Sequence, residues 1–277
     1  MKRIIVFFKT RKAVFWYRVI IIVCILIFAG SLTKLFMIFH EYNSAVTEYE
    51  DIADEFTIKN EDVTGAGVSV TETSVKVVQT DENGKETVFV FQPLNVDFAS
   101  LKAINEDVIG WIQFETFNLS YPIVKDPGDN YYLRRTIKKQ NNSAGSLFIS
   151  TFNNGDFQDT NTIIFGHNMR NGSMFGQLGR YKQESYFRNN QYFRIYTPNG
   201  MQRYQIFSVY KADVDGSAYS IWSWTGGKEY KEWIEELKSN SMYETGVGIT
   251  ENDIIVTLST CVTGEDEKRL VLHAKLI

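Results

Sequence analysis

The chain carries three successive patterns of hydrophobic and polar residues. Residues 19–39 are mostly apolar and carry one charge, Lys34; their number is close to the roughly 20 residues that cross a bilayer as a helix. Beyond them, apolar residues recur at three- and four-residue steps among acidic ones, which predicts an amphipathic helix near the membrane or against the main domain. Its apolar positions are Tyr42, Val46, Tyr49, Ile52, Ala53 and Phe56.

The third pattern covers the rest of the chain and is mostly of strand type. Many short alternating segments at fairly regular spacing predict a barrel or a sandwich. The predicted strands are 110–124, 144–150, 161–165, 191–197, 202–212, 253–260 and 268–277, preceded by a hairpin of 74–80 and 86–92 around Asn83-Gly84. Helices are predicted from the Asp97 cap to residue 104, over 174–187 and over 228–239.

The charge distribution predicts the orientation of the apolar segment in the membrane. All seven basic residues up to Lys34 precede the first acidic residue, Glu41, which leaves 22 bases against 33 acids in the remainder. Bases before the span predict a cytoplasmic N-terminus and an external remainder. No A-x-A cleavage site stands out, so an uncleaved, single-pass anchor is expected. The acidic remainder argues against nucleic-acid binding.

One cysteine, Cys261, lies outside the apolar N-terminal segment, so no intrachain disulfide can form there. Alternation places it on the more polar face of its strand, opposite Leu258. In the last strand Arg269 and His273 share the face opposite the leucines. If residues 262–268 join the two strands as a hairpin, Cys261 faces Arg269, a cation that favours the reactive thiolate.

The second candidate for chemistry is His167, which follows the predicted strand 161–165 and one glycine, at a loop position typical of catalytic residues. Each of these residues also has a structural explanation: a surface arginine beside a half-buried cysteine, and a histidine that only terminates a strand. His273 fits a polar surface position. Three scattered histidines and one available cysteine give no zinc-type spacing, and no glycine-rich phosphate loop appears, so no metal or cofactor is expected.

With these residues in this order, the chain resembles a class B sortase, a membrane-anchored cysteine transpeptidase of Gram-positive bacteria. The central matches are Thr257-Leu258-Ser259-Thr260-Cys261 to the TLxTC motif, Gly166-His167-Asn168, and Arg269 at the start of the final strand. Further matches are segments 95–98, 105–112, 121–124, 130–133 (Asn-Tyr-Tyr-Leu) and 172–175. The resemblance covers about 95–277. Together with the charge and hydropathy patterns, it divides the chain into a cytoplasmic basic segment (1–18), a transmembrane anchor (19–39), an extracellular helix and linker (40–94) and a catalytic domain (95–277).

The resemblance implies a mainly β fold, an eight-stranded barrel with peripheral helices, and a two-step acyl transfer. Cys261 attacks the carbonyl after the Thr of a C-terminal sorting signal on a secreted protein, and an amine of a peptidoglycan precursor then takes the acyl group. His167 is the implied proton carrier, and Arg269 holds the substrate and its oxyanion. The residues implied to line the sorting-signal groove are Ser217, Tyr219, Ile221, Ser259 and Thr260.

Two other functions remain open at this point. A cell-wall cysteine peptidase or amidase uses the same nucleophile, although papain-like enzymes place the cysteine before the histidine. A non-catalytic, membrane-tethered binding barrel predicts a buried and unreactive Cys261. Some class B sortases have an acidic residue two positions after the cysteine, where this chain has Thr263. The partner that orients His167 is therefore unassigned.

Overall fold

The computed structural model describes residues 2–59, 75–80 and 86–277 and contains two compact units, Met1–Ser44 and Ala45–Ile277. Helix α1 (Lys2–Phe56) begins in the first unit and ends in the second. Its part from Val14 onward is long and apolar enough to cross a membrane, which agrees with the predicted span.

The last turns of α1 belong to the second unit and bury one face there. Ala45, Tyr49, Ile52 and Phe56 are buried, whereas the acidic positions between them are mostly exposed. This confirms the predicted amphipathic helix and shows which of its two proposed locations applies, since its apolar face packs on the main domain.

Two small antiparallel sheets and one short helix precede the barrel. Strand β1 (Thr57–Lys59) pairs with β4 (Leu94–Val96), and β2 (Val75–Thr80) pairs with β3 (Glu86–Phe91). The predicted hairpin strands are confirmed, while Asn83-Gly84 lies outside the described residues. Helix α2 (Phe98–Ile104) begins after Asp97, whose carboxylate accepts from the Ser100 amide as predicted for an N-cap.

Eight strands close into a barrel in the order β10-β12-β11-β8-β7-β6-β5-β9, which confirms the predicted fold class. Only β8–β11 and β6–β7 are parallel neighbours. The strands are β5 (Val108–Phe114), β6 (Ser120–Lys125), β7 (Leu147–Ile149), β8 (Asn161–Phe165), β9 (Tyr192–Thr197), β10 (Gly200–Asp213), β11 (Ile255–Val262) and β12 (Glu265–Leu276).

Three predicted elements differ from the structure. The alternation over 110–124 is two antiparallel strands, β5 and β6, joined by residues 115–119, because apolar residues alternate on both sides of the chain reversal. The helix expected over 174–187 is a 3-10 segment, Gly176–Lys182, followed by α3 (Glu184–Asn189). Glycines at 176 and 179 weaken an α-helix there. The seven-residue connection between the last two strands is a two-residue turn, Thr263-Gly264, with Gly264 at φ +81°.

A helix outside the barrel covers the sheet that carries Cys261. Helix α4 (Lys228–Ser239) has the predicted bounds. Its buried face packs on residues of β10, β11 and β12, including Ile255 and Val271. Both faces of β11 are therefore buried up to Thr260, and the polar face predicted for that strand is also covered. The expectation that His273 is a surface residue is wrong, since its side chain is fully buried beneath this layer.

Candidate active site

Two parallel strands bring His167 and Cys261 to the same end of the barrel. In the β8–β11 ladder Phe165 pairs with Ser259, and each chain reaches its candidate residue two positions later. The amide of Gly166 donates to the Ser259 carbonyl at 3.1 Å, and Asn168 Nδ2 donates to the Cys261 carbonyl at 2.9 Å. These bonds hold the histidine loop against the cysteine strand.

Cys261 is exposed at the point where the covering layer ends. Across the hairpin it pairs with Arg269, as the alternation predicted. The next pair is Val262 with Glu265, so residues 266–268 form a bulge beside the thiol. Arg269 Nη1 donates to the carbonyls of Asp266 and Lys268 at 2.7 and 2.9 Å, which fixes the guanidinium at this bulge.

The imidazole of His167 is held by a main-chain carbonyl. Its Nε2 lies 2.6 Å from the Leu133 oxygen and must carry the hydrogen, because a carbonyl only accepts. Within the described parts of the chain, Nδ1 has no hydrogen-bond partner. Burial lowers the pKa of His167 below its usual 6.5, the Leu133 carbonyl opposes this shift, and the charge of Arg134 adds to it.

The histidine loop needs glycine immediately before the histidine. A Cβ on Gly166 would overlap the side chains of Leu147 and Phe175, so no other residue fits without displacing them. The hydroxyl of Thr260 donates to the Gly166 carbonyl at 2.7 Å and is only 2% exposed. Thr260, predicted to line the groove, therefore supports the histidine loop instead of presenting its side chain at an open surface.

The other predicted groove residues divide between two places. Tyr219 and Ser259 share a hydrogen bond of 2.9 Å between their hydroxyls, and the Tyr219 ring stacks on Phe165. Burial raises the pKa of Tyr219, and the Ser259 hydroxyl opposes that shift. Ser217 instead donates to Glu236 Oε1 of α4 at 2.6 Å, and Ile221 is half-buried.

Two contributors to the site were missed by sequence reasoning, the Leu133 carbonyl and the Asn168 amide. Both lie in segments that carried the family resemblance, 130–133 and 166–168, which was the available signal. In the described residues no group of three His, Cys, Asp or Glu side chains is placed to hold a metal ion.

The barrel domain is similar to known proteins. Residues 112–277 match the family model of the sortase domain. Sortase B of Listeria monocytogenes is 33% identical over 185 residues, which are 65% of this chain and 74% of that protein. Sortase B of Staphylococcus aureus is 30% identical over 182 residues, with the same two shares. The crystal structure of sortase B from B. anthracis has a TM-score of 0.67 and 28% identity, covering 87% of this chain and 99% of that one.

A family match over more than half of the chain establishes that this protein belongs to the sortases, the cysteine transpeptidases of the cell wall. The relatives named above are all sortase B, and this chain is likewise a class B sortase.

Proposed function

We propose that the protein cleaves a C-terminal sorting signal after its Thr and joins the new carboxyl end to an amine of a peptidoglycan precursor. The Cys261 thiolate attacks the Thr carbonyl, the C–N bond breaks, and the released amine takes a proton. A thioacyl enzyme remains. The precursor amine then attacks this thioester, loses a proton, and the Cys261 thiolate leaves.

The observation that carries the proposal is the position of Cys261 between two functional neighbours. Its strand lies between β8, which leads to His167, and β12, which presents Arg269 directly opposite. The thiol is exposed, whereas a non-catalytic barrel predicts a buried one. A substrate carbonyl that reaches the thiol therefore meets an imidazole on one side and a guanidinium on the other.

The hydrogen bond of His167 supports proton transfer at one of its two ring nitrogens. Because Nε2–H donates to Leu133, Nδ1 is the nitrogen that gives the proton to the leaving amine and takes one from the attacking amine. The carbonyl fixes the tautomer, a role that a carboxylate often fills. Since burial lowers the pKa, the imidazolium is a minority species at pH 7 and the enzyme is expected to be slow.

Arg269 fits the role of oxyanion stabiliser. Its two carbonyl bonds both use Nη1, and a guanidinium has five N–H donors. The remaining donors can hold the substrate and the negative oxygen of the tetrahedral intermediate. Tyr219 and Ser259 are the best supported groove residues, because the Tyr219 hydroxyl is bonded to Ser259, which lies two residues before the nucleophile on the same strand.

For membrane topology we propose residues 1–18 in the cytoplasm, 19–39 as the span, 40–94 as an external helix and linker, and 95–277 as the external catalytic domain. The basic residues before the span support this orientation. Protease added to intact cells should digest the external part only. Protection of residues 95–277 in intact cells would reverse the topology.

The reaction is tested by mass spectrometry of the full chain in detergent with sorting-signal peptides. We expect a thioacyl adduct on Cys261 that triglycine resolves into a peptide–triglycine product. Hydrolysis that triglycine does not divert would identify a peptidase. With a panel of sorting signals, the absence of any adduct would favour a binding module.

A further inference from the structure

A chain of buried polar side chains crosses four adjacent strands behind the candidate groove. It consists of Tyr210 on β10, His273 on β12, Thr257 on β11 and Asn161 on β8. The side chains of His273, Thr257 and Asn161 are fully buried. Buried polar groups are costly unless each one is hydrogen-bonded, so this arrangement needs a reason.

Each link of the network lies within hydrogen-bond distance. Tyr210 Oη lies 3.3 Å from His273 Nε2, and His273 Nδ1 lies 2.8 Å from Thr257 Oγ1. The Thr257 hydroxyl donates to Asn161 Oδ1 at 2.6 Å. Asn161 Nδ2 then donates to two main-chain carbonyls, those of Ala218 at 3.2 Å and Ser220 at 3.0 Å.

The direction of every hydrogen bond follows from the two carbonyls. Carbonyls only accept, so the atom of Asn161 that faces them is the nitrogen, and its oxygen faces Thr257. The Thr257 hydroxyl has one hydrogen, which goes to that oxygen, so Nδ1 of His273 must be the protonated nitrogen. Its Nε2 then accepts from Tyr210. Both ring nitrogens are used, and neither is available for catalysis.

The network ends on the segment that carries a candidate groove residue. Ala218 and Ser220 are the two neighbours of Tyr219, so Asn161 holds the main chain on both sides of that tyrosine. The Tyr219 hydroxyl in turn meets Ser259, two residues before the nucleophile. A shift of the 218–220 segment would therefore move Tyr219 relative to Cys261.

We propose that Asn161, Thr257 and His273 are positioning residues that hold Tyr219 in place for the sorting signal. This deepens the proposed function and rests on it. The network gives the first Thr of the TLxTC motif a physical role, since its hydroxyl connects His273 to Asn161. It acts on substrate binding and leaves the chemistry of Cys261 unchanged.

The test compares Thr257→Val with Thr257→Ser in the full chain. Loss of the hydroxyl should raise KM for a sorting-signal peptide by roughly fivefold to tenfold, the cost of a broken buried hydrogen bond, with kcat little changed. Thr257→Ser should restore the wild-type KM. Alkylation of Cys261 by a small methanethiosulfonate should proceed at the same rate in all three proteins.

The Tyr219→Ala variant shows whether the effect of Thr257→Val on KM depends on Tyr219. In a Tyr219→Ala protein, adding Thr257→Val should raise KM by less than about twofold, because coupled residues are not additive. An unchanged KM in Thr257→Val, or full additivity, would overturn the proposal. If the wild type forms no adduct with the peptide, the proposed function fails instead, and the two failures are distinguished.

If Thr257→Val does not fold, the wild-type protein still tests the hydrogen-bond directions of the network. Its three histidines can be labelled with ¹⁵N and observed in the full chain in detergent. We expect His273 to be a neutral Nδ1–H tautomer that persists when the peptide binds. An Nε2–H tautomer or a charged ring would contradict the hydrogen-bond directions on which the network depends.

Discussion

The two histidines of the second unit occupy contrasting places. His167 lies two residues beyond the end of β8, with one ring nitrogen bonded to a carbonyl and the other open. His273 lies within β12 under α4, and both of its ring nitrogens are bonded to side chains. An imidazole can exchange a proton with substrate only if one nitrogen is free and accessible, so the difference supports the proposed chemistry at His167 and the proposed positioning role of His273.

Burial lowers the pKa of both histidines, and this effect is opposed only at His167. It lowers the pKa of His273 to about 3, so that ring is neutral at pH 7. At His167 the Leu133 carbonyl favours the charged form and offsets part of the burial effect. The comparison predicts that variants at the two positions fail in different ways.

The largest expected effect is on His167. His167→Ala should lower peptide–triglycine formation by about 10²–10⁴-fold, the usual contribution of a general acid–base group, while the protein remains folded. Product formation is measured by chromatography with the full chain. His40→Ala is the matched control and should keep the wild-type rate. A His167→Ala enzyme with normal turnover would remove the assigned role.

Arg269→Ala tests the third member of the site. Loss of its donors should lower kcat by about 10²-fold, in the range found when an oxyanion-hole donor is removed, and should leave the barrel folded. Lys268→Ala, which removes the neighbouring ion pair with Asp213, is the control and should change kcat little. If Arg269→Ala transpeptidates normally, the oxyanion role is wrong.

The position of Arg269 beside Cys261 and the position of His167 beside Cys261 were not equally predictable. The pairing of Cys261 with Arg269 is local, since alternation and a nearby turn were enough to find it despite the wrong turn length. The neighbourhood of His167 and Cys261 depends on the parallel pairing of β8 with β11, strands almost 100 residues apart. Periodicity carries no information about such pairing, and only the family resemblance joined the two residues.

The burial of His273 and the carbonyl at His167 could not be read from the sequence either. A strand with polar residues on one face predicts a solvated face, but α4 packs over that face and covers it. Every residue has a carbonyl, so nothing in the side chain of Leu133 marks its main chain as the partner of an imidazole. Helix bounds such as those of α4 were predictable because its apolar stripe is local and regular.

The next prediction uses pH to separate the two histidines. A neutral buried ring is protonated in the unfolded chain below its ordinary pKa of about 6.5 but not in the folded one, so stability is full above pH 6.5 and falls below it. With a folded pKa of about 3, His273 accounts for a loss of ~1.4 kcal/mol at pH 5.5. Denaturant unfolding of the 45–277 unit at pH 7.5 and 5.5 measures this loss.

Variants at the two histidines should differ in the pH dependence of their stability. His273→Gln should lack this part of the pH dependence, whatever its stability at pH 7.5, and His167→Gln should keep it. Equal pH slopes in the wild type and His273→Gln would mean that His273 is not held neutral in the folded protein.

The smallest effect is expected at Tyr49, on the part of α1 that packs on the second unit. Its hydroxyl donates to the Gly145 carbonyl at 2.7 Å, and Gly145 lies so close to Leu133 that a Cβ would be 2.6 Å from the Leu133 oxygen. Tyr49→Phe should cost about 1 kcal/mol in unfolding free energy. It should also shift the acid limb of the kcat/KM pH profile to lower pH. The reason is that a displaced Leu133 carbonyl no longer stabilises the imidazolium, so the pKa of His167 falls further.

Tyr42→Phe, two helical turns earlier on the same helix, is the matched control and should change neither quantity. The pH profile is the decisive measurement, because a purely structural contact would lower stability without moving it. If Tyr49→Phe is destabilised but keeps the wild-type acid limb, the carbonyl at His167 is held by its own loop. The contrast between the two histidines would then depend on the barrel alone, without a contribution from α1.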